Sequence, residues 1–361
     1  MRKQRHVDRA FGWVLGGVIV ALVAASCSGS ATPTNSGSAA PTTVASAPSS
    51  SEPTAVASAP SGPPAAIFKV AVIAPSAVND LAFTQSMVDA VNSLKTKYNL
   101  EIAVSDNQFV LATAGNVIRD YAAQGYNLVI AHGSQYGSTI EQLAPQFPNV
   151  SFAWGTSGST FNLPNVFAYQ ANSQEGGYVQ GAMATMLSKS AVLGVIGPIE
   201  VGDAKLYVNG FCAGAKAEKA AVSCVPVYTG SFSDASLMAT TAKAFVANKA
   251  DVLTGTAQAV VGAIGVARSE NLPWFGTQWT QASLAPDNVV SSQIYKWDTV
   301  LEPIFAAISA GKLGGETYTL TLGNGGEVIE FNPGFKLPAD VKAKADSLIK
   351  GIGDGTITVP Q

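Results

Sequence analysis

The sequence predicts an α/β protein of two doubly wound lobes, each a parallel sheet covered by helices on both faces. Two observations carry this. From Phe68 onward, short runs rich in Val, Ile and Ala alternate with segments whose apolar residues recur at helical spacing. The runs are apolar nearly throughout, so both faces of each strand are covered, as in parallel sheets flanked by helices. The second observation is length: 361 residues are too many for one small domain and enough for two lobes of ordinary size.

The elements follow in order. "FKVAVIAP" reads as a strand and "FTQSMVDAVNSLKTKY" as a helix. "LEIAVSD" is strand, "TAGNVIRDYAAQG" a helix ending on Gly125, and "YNLVIAHG" strand. "SQYGSTIEQLAPQF" is a short helix, followed by the strands "NVSFAWG" and "NVFAYQ". A long helix, "SQEGGYVQGAMATMLSK", opens the second half. There "AVLGVIGP", "SCVPVYTG", "ADVLTGT" and "LPWFGTQ" are strands. "DAKLYVNGFCAGAKAEKA", "DASLMATTAKAFVANK" and "AQAVVGAIGVARSEN" are the helices between them. The break between lobes is expected near Tyr169 to Gln174. After Gln278 the pattern loosens into "NVVSSQIYKWD", the helix "TVLEPIFAAISAG" and the β-like "ETYTLTL", as if the chain crosses back. The expected lobes are 67–170 with 297–318 and 171–296 with 319–361. "GNGGE", Gly323 to Glu327, reads as a hairpin turn rather than a phosphate loop.

The first 66 residues read differently. "MRKQRHVDRA" is basic, and Phe11 to Ser26 is apolar and uncharged, a length that suits a signal peptide better than a membrane span. Cys27 follows small residues, "VAASC", as in a bacterial lipobox, although Ala24 stands where Leu is usual. Cleavage before Cys27 and lipidation of its thiol are expected. Ser28 to Ala66 has no aromatic residue and a single charge, Glu52, so it reads as a disordered Ser/Pro/Ala spacer. The body is therefore expected on the extracytoplasmic face of the cell membrane, held by a lipid anchor. Cys212 and Cys224 remain, and a disulfide or two buried thiols are equally open.

Charge and motifs exclude several classes. Four of the 21 basic residues and one of the 24 acidic ones lie in the first ten positions; without them 17 basic residues face 23 acidic ones. Such a surface is a poor partner for nucleic acid. No nucleophile elbow, phosphate loop or metal-spaced Cys/His cluster occurs, so no cofactor or metal is expected and no enzyme activity. Once the signal is removed His132 is the only histidine, which leaves little for a Ser-His-Asp triad.

Ligands of open parallel sheets sit beyond the carboxyl ends of the strands. Those ends carry Asn79, Asp80 and Phe83; Gly133, Ser134, Gln135 and Tyr136; Tyr207; Gln258; and Gln278 and Trp279. Trp154 stands at the end of its own strand and joins these candidates. Rings beside amides and carboxylates suit a small, flat, mostly neutral ligand. Each residue has a plainer role open to it. Asn79 or Asp80 can cap a helix, Phe83 can pack in its first turn, and Glu200, Asp203 and Asp234 can be caps as well.

Five segments in order resemble the basic membrane protein family of ABC-transporter solute-binding lipoproteins, which includes purine nucleoside receptors. They are "NDLAFTQSMVDAV", "YAAQGYNLVIAHG", "EGGYVQGAMATMLSKS", "YVNGFCAGAKA" and "YTGSFSDAS". The resemblance spans about Phe68 to Leu337 and implies the type I periplasmic-binding-protein-like fold. It also implies a monomer that delivers a purine-like ligand to an ABC permease powered by an ATPase subunit. In the family's nucleoside binders a ring from each lobe clamps the purine; by position these are Phe83 and Tyr207. The family's ribose-binding Asp and Lys are replaced here by Gln278 and Tyr295, and Trp279 adds bulk. A free nucleobase is therefore expected more than a nucleoside. A sensor that presents its closed state to a signalling receptor, or an importer component for a non-purine solute, are the alternatives.

Overall fold

The computed structural model describes residues 67–361. The expected signal peptide, lipidated Cys27 and spacer lie outside these described residues.

The first lobe opens with β1 (Phe68–Ile73), α1 (Phe83–Ser93), α2 (Lys95–Tyr98) and β2 (Leu100–Ser105). It continues with α3 (Leu111–Ala123), β3 (Leu128–His132), α4 (Gly137–Leu143), β4 (Ser151–Gly155) and β5 (Val166–Ala171). The second lobe takes over at α5 (Gln174–Leu187), β6 (Val192–Gly197), α6 (Gly202–Glu218), β7 (Ser223–Cys224) and β8 (Val227–Tyr228). Then follow α7 (Ala235–Ala247), β9 (Val252–Gly255), α8 (Val261–Ser269), β10 (Trp274–Gln278) and β11 (Val289–Tyr295). The chain returns to the first lobe for α9 (Asp298–Ser309) and β12 (Thr317–Leu320). It ends in the second with β13 (Glu327–Phe331) and α10 (Ala339–Gly353).

The two sheets run β12-β5-β4-β3-β1-β2 and β13-β11-β10-β9-β6-β7, with β8 also paired to β6. The orders match strand for strand, so β1 and β6 hold equivalent places. Every pairing is parallel except β11 with β13. Central strands such as β3 are buried along their whole length, as the uninterrupted apolar runs require. Apolar clusters cover both faces of each sheet.

Two details depart from expectation. Thr319 and Leu320 pair with Gln170 and Ala171, so the first lobe's strand runs past the expected boundary at 318. The turn at Gly323 to Glu327 is not a hairpin: β12 and β13 belong to different sheets, and the turn carries the chain between lobes. Turn residues specify a reversal but not which sheet receives the next strand.

The glycines of "EGGYVQGA" and "YVNGFCAGA" explain how α5 and α6 pack. A Cβ on Gly181 would lie 1.9 Å from the Phe211 carbonyl oxygen, and one on Gly214 would lie 2.0 Å from that of Tyr178. Only bare backbone allows this approach. The packing sets α6, and with it the start of that helix, firmly beneath β6. Cys212 of α6 and Cys224 of β7 are joined by a disulfide, with Cα atoms 5.5 Å apart, inside the second lobe's core. Closing a loop of this length stabilises a fold by about 3 kcal/mol.

Candidate ligand-binding site

The carboxyl ends of both sheets face one another across a cavity lined by both lobes, the usual place for a ligand of such sheets. The first lobe contributes Pro75 and Phe83 from the β1–α1 joint, Phe109 after β2, Gly133 to Gln135 after β3, and Thr156 after β4. The second contributes Asp203 and its neighbours from the β6–α6 joint, Phe232 after β8, Thr256 to Gln258 after β9, and Gln278 at the end of β10.

Phe83 is placed by an unusually well-tied loop. Asp80 Oδ1 accepts from the backbone N–H groups of Ala82 (2.9 Å) and Gln85 (3.1 Å). Its Oδ2 accepts from Ser76 Oγ (2.6 Å) and the Thr84 N–H (3.1 Å). These bonds satisfy the free donors of the first turn of α1. Phe83 then turns inward and stacks on His132, with ring centroids 3.8 Å apart and planes 10° apart. The indole of Trp297 meets Phe83 edge-on and donates to Ser86 Oγ at 2.9 Å.

His132 is fully buried, and both ring nitrogens are engaged. Nε2 lies 3.0 Å from the Phe83 carbonyl oxygen, which can only accept, so Nε2 carries the proton. Nδ1 is then the acceptor for the Tyr169 hydroxyl at 2.9 Å. Burial drives the imidazole pKa down to about 3, against the carbonyl bond that favours protonation. A neutral ring with both nitrogens bound is a support for Phe83, not a base.

The opposite wall is polar. Asp203, in the first turn of α6, is buried and accepts from Thr156 Oγ1 of the other lobe at 3.0 Å. It also accepts from the Tyr295 hydroxyl at 3.2 Å, next to the crossing into the first lobe. Burial pushes its carboxyl above the ordinary value, while bonds from Thr156, Tyr295 and Gln278 hold it down. The Oε1 atoms of Gln258 and Gln278 are buried on this wall without a hydrogen-bond partner among the described residues.

Six of the expected residues therefore line the cavity: Phe83, Gly133, Ser134, Gln135, Gln258 and Gln278. The others do not. Asn79 is exposed, and Asp80 is consumed by its own loop. Tyr136 is buried, with its hydroxyl donating to the Gln108 carbonyl at 2.8 Å. Trp154 donates to the Gly133 carbonyl at 3.2 Å and stacks on Phe161. Tyr207 corrects the expected clamp. It lies in the second lobe's core, its hydroxyl bound to Gln180 (2.7 Å) and Thr254 (2.6 Å). Trp279 points away, into a groove with Ser86, Asp89 and Lys296, so it adds no bulk to the cavity. Phe232 is the second lobe's ring on the cavity wall, and Phe109 adds another from the first. Sequence reading did not single out Phe109 or Thr156, and it read Asp203 only as a possible helix cap. Phe232 stands in the loop that follows "SCVPVYTG", a strand end whose rings were already candidates.

Two lobes that face one another across a cavity at the ends of their sheets have the build of a two-lobed solute-binding protein. Residues 67–355 match the family described as ABC transporter substrate-binding protein PnrA-like, and the chain belongs to that family. It is 26% identical to a purine-binding protein of Brucella abortus over 293 residues, 80% of this chain and 82% of that one. It is 27% identical to an ABC transporter nucleoside-binding protein, BmpA, of Lactococcus lactis over 317 residues, 81% of this chain and 89% of that one. Among solved structures, an ABC transporter solute-binding protein of Conexibacter woesei superposes with a TM-score of 0.67 at 26% identity. That match covers 81% of this chain and 98% of the other. The fold is thus that of type I periplasmic solute-binding proteins. Among the described residues, no helix is long and apolar enough to cross a membrane.

Proposed function

We propose that this chain captures a small flat heterocycle, a purine nucleobase or nucleoside-like molecule, and delivers it to an ABC permease from the extracytoplasmic face of the membrane. The observation that carries the reading is the composition of the cavity. Phe83, Phe109 and Phe232 supply ring faces, and Gln135, Gln258 and Gln278 supply amides that read a polar edge. The naming of two relatives as purine- and nucleoside-binding proteins supports the same ligand class. A free base fits better than a nucleoside, because the amide of Gln278 offers one acceptor oxygen where a carboxylate offers two for ribose hydroxyls. Closure is a hinge motion about the segments that cross between lobes after β5, β11 and β12. A lipid on Cys27 and the spacer after it keep the body near its permease and raise its effective concentration there.

Calorimetric titration of the full chain in mild detergent with adenine, guanine, hypoxanthine and their nucleosides tests this. Binding of a base, with its nucleoside at least about tenfold weaker, is the expected result, since an unmet ribose hydroxyl leaves a polar group unpaired. Failure of every purine to bind ends the ligand assignment.

A further inference from the structure

Among the described residues that line the cavity, Asp203 is the only ionisable side chain, and none is Lys, Arg or His. The nearest lysine in sequence, Lys205, pairs with Glu200 at 3.2 Å, both side chains being largely exposed. Beside Asp203, the Oε1 atoms of Gln258 and Gln278 add two unpartnered acceptors to the same wall. Asp203 also closes the seam. Its Oδ1 takes the hydroxyl of Thr156 from the first lobe, and Gly202 lies so close that a Cβ there would sit 2.9 Å from Thr156 Oγ1.

We infer that Asp203 sets the charge of the ligand: the closed cavity admits neutral or cationic molecules that donate N–H or O–H groups to the second lobe's wall, and it rejects anions. Two facts make this one device. A negative ligand meets a buried carboxyl and buried acceptors with no cation to offset them, where like charges repel far more strongly than in water. A donor ligand instead satisfies acceptors that closure would otherwise leave unpaired. The inference rests on capture between the lobes but not on the ligand's being a purine.

The test titrates the full chain at neutral pH with pairs of related heterocycles, one neutral and one anionic: hypoxanthine and urate, uracil and orotate, and nicotinamide and nicotinate, the last pair differing chiefly in charge. For any pair that binds, the neutral member is expected to bind at least about 100-fold tighter than its anion. Asp203→Asn keeps the size of the side chain and a partner for Thr156; it should bring the ratio to within about tenfold by removing the charge. Thr156→Val removes the cross-lobe donor but not the charge. It should weaken both members by a similar factor and leave the ratio standing, which a merely structural role for Asp203 would not produce. An anion that binds the wild-type chain as well as its neutral partner overturns the inference, and so does an Asn variant that keeps the full ratio. Hypoxanthine and urate binding equally would remove this inference and leave the purine reading. Nicotinamide binding with the ratio, and no purine binding, would do the reverse. No binding by any neutral member removes both.

Discussion

The two lobes use equivalent joints in opposite ways. β1 leads to α1 in the first lobe, and β6, its counterpart in sheet order, leads to α6 in the second. Each joint carries a carboxylate followed within four residues by a ring: Asp80 and Phe83, then Asp203 and Tyr207. In the first lobe the ring reaches the cavity, and the carboxylate is used up by backbone N–H groups of its own loop. In the second the carboxylate reaches the cavity, and the ring is sunk in the core. The same residue types at the same topological place thus give the cavity an apolar contact from one joint and a polar contact from the other. What decides a carboxylate's role is where its partners come from: its own turn, or another lobe.

The comparison is sharpest in acid, where the two walls respond with opposite sign. His132 backs Phe83 as a neutral imidazole with a pKa of about 3. As pH falls below about 6.5, the unfolded chain takes up this proton and the folded chain does not, so stability falls until about pH 3. The ceiling is large, about 4–5 kcal/mol for a displacement of this size. Asp203 and the buried Glu327 are displaced upward, chiefly by burial. Their contribution is therefore favourable in acid and is lost as pH rises past the ordinary carboxylate range. Chemical denaturation from pH 7 to pH 4 should show the wild type losing stability. A His132→Gln variant, weaker at neutral pH, should hold level or gain over the same range. Parallel curves for the two proteins would mean that His132 is not held neutral.

The next effect separates the two carboxylates directly. Asp80→Ala removes the acceptor of three backbone N–H groups and of Ser76 Oγ and should cost about 2 kcal/mol of stability, the upper end for a lost cap. Its ligand affinity, measured well below the melting temperature, should stay within about threefold, because no lost bond reaches the cavity. A large loss of affinity with unchanged stability would reverse the roles assigned to the two joints. Smaller again is Tyr207→Phe, which deletes the hydroxyl shared by Gln180 and Thr254. About 1 kcal/mol of stability should go, with affinity unchanged in the same titration. A marked loss of binding would restore Tyr207 to the clamp.

Much of this architecture was legible in the sequence, because uninterrupted apolar strands and helical spacing determine a doubly wound sheet, and such sheets place ligands at known ends. The individual site residues were harder to read. Gln278 and Trp279 are neighbours, but the strand ends at Gln278, whose φ of 73° turns the chain so that one side chain lines the cavity and the other lies in a separate groove. Asp203 and Tyr207 lie about one turn apart on α6, about 6 Å along its axis. Which turn faces the cavity depends on how deeply the helix is set, and the glycine contacts with α5 fix that depth. Phe109 follows β2, an edge strand, and only the order of the sheet places its end beside β1.

The smallest effect tests the plainest residue of the first joint. Asn79 stands beside Asp80 and is the same kind of residue to a reader of sequence, but its side chain is exposed and does not line the cavity. Asn79→Ala should leave stability within about 0.5 kcal/mol, as for most surface substitutions. Affinity should also be unchanged, since the loop is held by Asp80 and not by its neighbour. A drop of tenfold or more in affinity would mean that the loop folds inward over the ligand and brings a polar group with it. The first joint would then present a polar side chain as well as a ring, and the contrast between the two joints would fail at the residue where it asks for least.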